Sequence, residues 1–279
     1  MRTGLLFFML CMISSCGSTK KIARTETSQI QIKDSLTLTT TTPKETSVFN
    51  ETDTLENKKE TIIKQKNEIS QIVTKDDHVH DIWNDLLKKH VSDNGNVDYE
   101  GFKTDQLALY HYFKTLNDAL PNPNNTKEYK LAYWINAYNA MTIDLILHHF
   151  PINSIKDIKK PWNQRLWKLG EKWYNLNDIE HTILRNMNEP RIHFTIVCAS
   201  LSCPKLRREA YSIIQLENQL TQATKDFLSD HSKNSLSVNT LELSKIFQWF
   251  AKDFKQDGSL IFFLNQYSDI KISPNAKKR

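Results

Sequence analysis

The sequence predicts an α+β fold in which helices predominate, formed by a single globular domain with a few short strands after a disordered amino-terminal tether. Three observations support this prediction. All 6 Trp and all 9 Tyr lie beyond Val73, so the aromatic material for a core is confined to the later part of the chain. In that part, segments with helical spacing of apolar residues alternate with isolated strand-like segments. The segment from Gly17 to about Asp76 is instead rich in Ser, Thr, Lys and Glu, with too little apolar surface to offset the entropy of ordering.

The amino terminus has the pattern of a bacterial lipoprotein signal peptide. Arg2 precedes an apolar run over residues 5–13, and Ser14 and Ser15 then lead to Cys16. The run is too short to span a bilayer, and small residues precede the Cys as a cleavage site requires. The predicted organisation is a signal peptide over residues 1–15, a tether over 16–76 and a globular domain over 77–273.

Cleavage before Cys16 would leave this residue to carry lipid, such as palmitate, and Cys11 would be removed with the signal peptide. We therefore expect a lipid-anchored protein of the cell envelope, in the outer membrane of a Gram-negative bacterium, with the membrane as one partner. An uncleaved anchor and an ordinary secretory signal with an incidental Cys are the alternatives. The formal net charge of +5 comes from Lys and Arg mixed with Asp and Glu, so nucleic-acid binding is not indicated.

Periodicity, capping residues and prolines predict the elements of the domain in order. Helices are expected at 82–90, 106–120, 130–150, 178–186, 214–229 and 244–254, and a helical turn at 155–158. Short strands are expected at 97–99 and 235–241, with a hairpin around 169–172. Asn177 can cap the helix over 178–186. Trp249, Phe250 and Phe254 predict a core-facing stripe, with Asp253 as a surface or capping partner.

The segment over residues 191–204 holds the two thiols that remain after export. Residues 191–197 alternate polar with apolar side chains, which predicts a short strand that leads to Cys198. Pro204 is tolerated at a first helical position, so Cys203 is expected at the cap of a helix running through Leu206 and Ala210. The segment is therefore a candidate reactive site, because it would present a thiol in a loop between a strand and the start of a helix.

Four blocks of the chain resemble the domain-of-unknown-function 547 family. They are Tyr133-Trp134-Ile135-Asn136-Ala137-Tyr138-Asn139-Ala140, then Asp178-Ile179-Glu180-His181-Thr182-Ile183-Leu184-Arg185, then residues 191–204 with Cys198 and Cys203, and finally Leu243-Ser244-Lys245-Ile246-Phe247 with Trp249 and Asp253. The resemblance covers most of residues 83–267. It implies a domain boundary and a set of residues, but no reaction. Such domains often occur in exported bacterial proteins, in agreement with the interpretation of Cys16.

Several polar residues in these blocks are candidates for function. Asn136 and Asn139 share one face of an apolar helix, and their amides either hold neighbouring loops in place, which we favour, or orient a substrate. Glu180 and His181 are adjacent and point about a hundred degrees apart on a helix, which does not form a metal pair. His193 lies on the predicted strand before the thiols, although strict alternation would put Cys198 on the opposite side.

The two thiols allow three interpretations. A Cys198–Cys203 disulfide is favoured by export and by the even number of thiols, provided that the loop folds back. In the second interpretation, Cys203 or Cys198 is a nucleophile activated by His193 or His181 and oriented by Asn, Glu or Asp, with the helix start favouring thiolate. In the third, the thiols and His bind a metal, which the Cys-x-x-x-x-Cys spacing makes least favoured. We expect no metal and no cofactor.

Basic residues around the thiol segment are candidates for binding an acidic group. Lys205, Arg207 and Arg208 fall where the predicted helix begins, and Arg191 begins the predicted strand. The alternative is that they are simply solvated. Two functional hypotheses follow, and neither settles whether the protein is an enzyme. One is a binding or scaffolding module stapled by the disulfide, with an envelope peptide, a glycan-linked peptide or a protein as partner. The other is a cysteine-dependent hydrolase or acyl or amide transferase.

Overall fold

The structure is a computed structural model that describes residues 78–199 and 203–279. Over these residues it confirms the predicted α+β class, with helices predominating and a few short strands. The predicted signal peptide and tether lie outside the described residues, as do the residues between Ala199 and Cys203. Within the described part, no helix combines the length and the apolar character that crossing a membrane requires.

Five of the α-helices occur where helices were predicted, with shifted ends, whereas those at Tyr99–Thr104 and Leu260–Tyr267 were not predicted. The α-helices are α1 Asp81–His90, α2 Tyr99–Thr104, α3 Gln106–Asp118, α4 Lys127–Leu147, α5 Leu216–Ser229, α6 Ile246–Trp249 and α7 Leu260–Tyr267. Short 3-10 helices lie at His78–His80, Ile155–Asp157, Pro161–Asn163, Arg185–Met187, Pro190–Phe194 and Asp253–Lys255. The predicted strand over 97–99 is reduced to a single bridge between Val91 and Val97, because the Asp98 side chain accepts from the Gly101 amide and starts α2.

Helix α4 forms the centre of the main core. Its side chains from Leu131 to Leu147 are buried on every face, as expected of a helix that is apolar all round. The helix starts three residues earlier than predicted because the Thr126 hydroxyl accepts from the Tyr129 amide at 3.2 Å. It ends before Pro151. Helices α1, α2 and α3 pack around it through Trp83, Phe102 and Tyr112.

The strands form two small sheets. The predicted hairpin consists of β1 Trp167–Leu169 and β2 Lys172–Tyr174, which pair antiparallel with Leu169 opposite Lys172. The predicted strand over 235–241 is instead two strands, β3 Ser235–Leu236 and β4 Thr240–Glu242, which pair antiparallel. The final strand, β5 Lys277–Lys278, lies parallel to β4.

The predicted strand over residues 191–197 is wrong. Residues Pro190–Phe194 form a 3-10 helix, because Pro190 occupies its first position and the Glu189 side chain accepts from the Arg191 amide. The helix predicted to begin at Cys203 is also absent. The segment 203–213 has no helical hydrogen bonds and is held by other parts of the chain, for example by Asn84, whose side chain accepts from the Ala210 amide at 3.1 Å.

Two further helices differ from their predictions. Residues Asp178–Leu184 form a π-helix, and Asn175 rather than Asn177 supplies the oxygen that accepts from the Asp178 amide, at 2.7 Å. The helix predicted over 244–254 breaks after α6 and resumes as the 3-10 helix Asp253–Lys255. As a result Trp249 is 58 % exposed, whereas Asp253 is buried, the reverse of the predicted stripe. Phe254 is buried as predicted, in a second apolar cluster around Phe194 and Phe263.

Candidate functional site

One cleft brings together most of the candidate residues, and we refer to it as the disulfide cleft. Its volume is about 340 Å³, and its walls come from the π-helix, from α6 and from the chain around the two Cys residues. It is lined by Tyr138, Trp162, Asn163, Asn177, Glu180, His181, His193, Ile196, Cys198, Cys203, Pro204, Ile246, Trp249 and Phe250.

The predicted disulfide between Cys198 and Cys203 is confirmed. Their Cα atoms lie 6.1 Å apart, within the range that a disulfide requires, so the loop folds back as the disulfide interpretation demanded. Ala199 has φ of 50°, in the left-handed region, which helps the chain to reverse direction directly after Cys198. In this form both sulfurs belong to the bridge, and neither is a thiolate. The helix start that was expected to favour a thiolate at Cys203 is also missing.

The two Asn side chains hold loops in place, the role that we favoured for them. Asn136 donates to the carbonyl of Tyr211 at 2.7 Å and accepts from the amide of the same residue at 2.9 Å. Asn139 donates to the carbonyl of Thr195 at 3.0 Å and accepts from the Val197 amide at 3.0 Å. Both side chains are fully buried in α4 and neither lines the cleft. They fix the chain on both sides of the disulfide to the central helix.

His193 belongs to a partly buried network of charged and polar side chains. Its Nε2 lies 2.8 Å from a carboxylate oxygen of Asp253, and the guanidinium of Arg185 donates to both oxygens of that carboxylate at 2.7 and 2.9 Å. Arg185 also approaches Nδ1 of His181 at 3.2 Å. The ring of His193 stacks on Phe250, with 3.8 Å between the ring centroids. These contacts hold the imidazole in one orientation against the cleft.

The electrostatics of this network favour a neutral imidazole and an ionised carboxylate. Burial lowers the pKa of His193, although the nearby Asp253 acts in the opposite direction. Burial by itself would raise the pKa of Asp253, but the hydrogen bonds from Arg185 and His193 outweigh it and hold that pKa well below its usual range. A neutral His193 whose Nε2–H donates to Asp253 has a lone pair on Nδ1. That atom is buried and has no hydrogen-bond partner among the described residues.

The π-helix leaves Glu180 half-buried and His181 exposed. Glu180 is half-buried and accepts from the Tyr138 hydroxyl at 3.2 Å. The Trp162 indole donates to the same hydroxyl, so the Tyr138 oxygen serves both neighbours. His181 is exposed and contacts Arg185 rather than either Cys. Single π-helical turns occur frequently at functional sites, which agrees with the position of this one in the cleft wall.

The four basic candidates do not converge on one site. The guanidinium of Arg191 is held by carboxylate oxygens of Glu189 and Glu217 and by the Thr221 hydroxyl, so its donors are already used. Burial opposes its charge, but the hydrogen bonds that Arg191 donates to Glu189 and Glu217 raise its pKa above its ordinary value. This saturation argues against the prediction of an anion site at Arg191.

The remaining basic candidates line a separate, larger groove of about 900 Å³. Arg207 pairs with Glu209 and Arg208 pairs with Asp93, both at 2.5 Å, while Lys205 is exposed. Two of the three are therefore neutralised by carboxylates from the protein itself. Over the described residues, no group of three or more His, Cys, Asp or Glu side chains is arranged to hold a metal ion.

The sequence interpretation missed two residues that hold His193 and two that line the cleft. Asp253 and Arg185 form the ion pair behind His193, and Trp162 and Tyr138 line the wall beside Glu180. The available signals were the presence of Asp253 in the last resemblance block and the shared helical face of His181 and Arg185. Neither signal predicts that residues 68 positions apart in the chain meet.

Fold and site together define a helix-rich α+β domain with an aromatic cleft closed on one side by a disulfide. Residues 123–228 match the family model described as "Protein of unknown function, DUF547". That segment contains three of the four blocks that carry the resemblance, and the block with Trp249 and Asp253 lies beyond it. The match supports the resemblance to this family. No curated protein and no solved structure matches the chain.

Proposed function

We propose that the protein is a lipid-anchored component of the bacterial cell envelope whose folded domain binds a small envelope ligand, a peptide or a glycan-linked peptide, in the disulfide cleft. The observation that carries this proposal is the cleft itself. It is open, lined in part by aromatic rings, and bounded by a covalent bridge that fixes one wall. The anchor rests on the sequence around Cys16.

The size of the cleft favours a small ligand. A volume of about 340 Å³ lies at the lower end of the range for small-molecule sites. It suits a group of one or two amino-acid or sugar units rather than the surface of a folded partner. Trp249 is 58 % exposed at the cleft, so its ring is available for stacking on such a group.

A binding role requires no rearrangement of the described residues, whereas cysteine-dependent catalysis does. A nucleophilic Cys198 or Cys203 would first have to be released by reduction of the bridge. The observation in favour of that alternative, a hydrolase or acyl or amide transferase, is that both sulfurs line the same cleft as His193. It stays the second candidate, and the thiol state of the native protein separates the two.

Thermal-shift measurements with soluble muropeptides test the binding proposal. The probes are prepared by muramidase digestion of the cell wall of the source bacterium and added to the full chain in detergent. A ligand at a hundred times its dissociation constant stabilises the folded state by about 2.7 kcal/mol, so we expect a rise in Tm of several degrees. Trp249→Ala should abolish this rise.

Val238→Ala is the matched control, because Val238 is 51 % exposed and lies outside the cleft. It should respond to muropeptides as the wild type does. An unchanged Tm of the wild type, or an equal rise in Trp249→Ala, would contradict the proposal.

A further inference from the structure

The disulfide cleft contains hydrogen-bond acceptors that the protein itself leaves unused. His193 is only 3 % exposed, lines the cleft, and has an Nδ1 without a partner among the described residues. Since its Nε2 faces the Asp253 carboxylate, the proton of a neutral imidazole lies on Nε2, and Nδ1 accepts. A buried acceptor without a partner costs free energy, and a ligand that donates to it removes that cost.

Glu180 supplies a second acceptor and a negative charge. One of its carboxylate oxygens accepts from the Tyr138 hydroxyl, and the other has no hydrogen bond within the described part of the chain. None of the ion pairs among the described residues involves Glu180. Burial lowers the pKa of His193, while the charges of Asp253 and Glu180 act against this, which places Glu180 within electrostatic reach of the imidazole.

The other charges at the cleft compensate one another. Asp253 is neutralised by the bidentate contact of Arg185. The pKa of Arg185 is raised by its hydrogen bonds to Asp253 and, to a smaller extent, by the charge of Glu180, but Glu180 forms no ion pair with Arg185 or with any other described residue. Arg185 in turn lies over the Phe250 ring at 5.3 Å and is not free to bind an anion in the cleft. The exposed ring of Trp249 adds a negative π-face to the same space, and Trp faces attract cations best among the aromatic side chains.

From this arrangement we propose that the ligand enters the disulfide cleft with a primary ammonium group, which pairs with Glu180, donates to Nδ1 of His193 and lies against Trp249. The inference rests on the proposed binding function and names its ligand chemistry. An amine end or an amine side chain of a peptide satisfies it. A carboxylate does not, because it brings a like charge to Glu180 and no donor to His193.

Three probes of equal size separate charge from shape: benzylammonium, benzyl alcohol and benzoate, titrated calorimetrically into the full chain in detergent. Each carries one phenyl ring and a different polar group. We expect benzylammonium to bind about tenfold more tightly than benzyl alcohol, a difference of about 1.4 kcal/mol, and benzoate to bind most weakly.

Glu180→Gln should remove the preference for benzylammonium over benzyl alcohol, since Gln keeps an oxygen for Tyr138 but carries no charge. Glu171→Gln is the control, because the side chain of Glu171 is 98 % exposed and lies outside the cleft. It should retain the preference. The imidazole ¹⁵N resonance of Nδ1 in His193, assigned with His193→Gln, should shift on addition of benzylammonium, which gives a readout in the wild-type protein.

Equal binding of the three probes, no binding of any of them, or a preserved preference in Glu180→Gln would overturn the ammonium proposal. The muropeptide measurement with Trp249→Ala is independent of charge. A muropeptide effect without a preference for benzylammonium would therefore leave the cleft as a binding site and remove only its assigned ligand chemistry.

Discussion

At the scale of single residues, the side-chain amides of Asn136 and Asn139 show how polar groups in an apolar helix can position a site without lining it. Each satisfies the donor and acceptor of the neighbouring backbone, and together they hold the segments on both sides of the disulfide. Their removal would leave buried peptide groups without partners, which costs more than the hydrogen bonds themselves contribute.

Asn136→Ala should lower the free energy of unfolding by about 2–4 kcal/mol, because the amide and the carbonyl of Tyr211 both lose their partner in a buried position. Urea denaturation measures the change. Asn186→Ala is the control, since Asn186 is exposed and bonds only one carbonyl, and it should cost less than about 1 kcal/mol. If Asn136→Ala kept wild-type stability but lost muropeptide binding, Asn136 would be a ligand-positioning residue instead.

Because His80 is buried, we expect the free energy of unfolding to decrease in mild acid. Burial lowers its pKa to about 3 from the ordinary 6.5, so between these values the unfolded chain binds more protons than the folded protein. The stability contributed by the neutral imidazole is therefore complete above pH 6.5. Below pH 6.5 it decreases by about 1.4 kcal/mol for each unit by which the pH is lowered. Burial shifts the pKa of His193 in the same direction and adds to the effect.

Urea denaturation at pH 7.5 and pH 5 tests this expectation. His80→Gln keeps a polar atom for the Tyr112 hydroxyl, which lies 2.7 Å from the imidazole, and should reduce the loss between the two pH values by about 2 kcal/mol. His111→Gln replaces an exposed His and should show the wild-type loss. An equal loss in wild type and His80→Gln would contradict a neutral buried His80.

At the scale of elements, the walls of the cleft depend on connections between distant segments. Arg191 joins the 3-10 helix Pro190–Phe194 to α5 through Glu217, and the Arg185–Asp253 pair joins the end of the π-helix to the chain after α6. The disulfide closes the remaining side. The segments around the cleft are therefore joined to one another by two ion pairs and one disulfide, each between residues of different segments.

Replacing both bridge residues, Cys198→Ser with Cys203→Ser, should lower the free energy of unfolding by about 2 kcal/mol, the entropy cost expected for so short a loop. Urea denaturation of the two-residue variant against wild type measures it. Either single replacement serves as a control and should cost a similar amount, since each one alone opens the bridge.

Rapid alkylation of the protein in isolated envelopes gives the complementary measurement. We expect no label on Cys198 or Cys203 before reduction and a label on both after it, read by mass spectrometry of the peptide that joins them. A fast-reacting native thiol would contradict a permanent disulfide between Cys198 and Cys203. It would make the cysteine-dependent hydrolase or transferase the leading hypothesis.

At the scale of the whole molecule, the predicted lipid anchor would place the folded domain at a membrane surface. Cys16→Ser should abolish metabolic incorporation of an alkyne-labelled palmitate and shift the protein from the membrane fraction to the soluble or unprocessed pool. Cys11→Ser, inside the predicted signal peptide, should still be labelled and is the matched control. Labelling that persists in Cys16→Ser would contradict lipidation at this residue.

The helices with strong periodicity could be predicted, and the chain between them could not. Helix α4 was expected because its apolar run is long and is bounded by Pro151, and the hairpin β1–β2 because Gly170 lies at its turn. Residues 191–197 alternate as a strand does, yet the segment Pro190–Phe194 forms a 3-10 helix, since Pro190 begins a helical turn there. Alternation over so few residues does not distinguish the two conformations.

By itself the sequence determined the α+β class, most of the longer helices, the resemblance blocks and the pair of Cys residues able to bridge. These features depend on local periodicity, on composition and on short spacings. Only the tertiary structure decided that Asp253 and Arg185 hold His193, that Trp249 faces the cleft, and that Asn136 and Asn139 point away from it. The physical reason is that the burial and pairing of polar groups depend on contacts between segments far apart in the chain. A local sequence pattern does not indicate which segments are in contact.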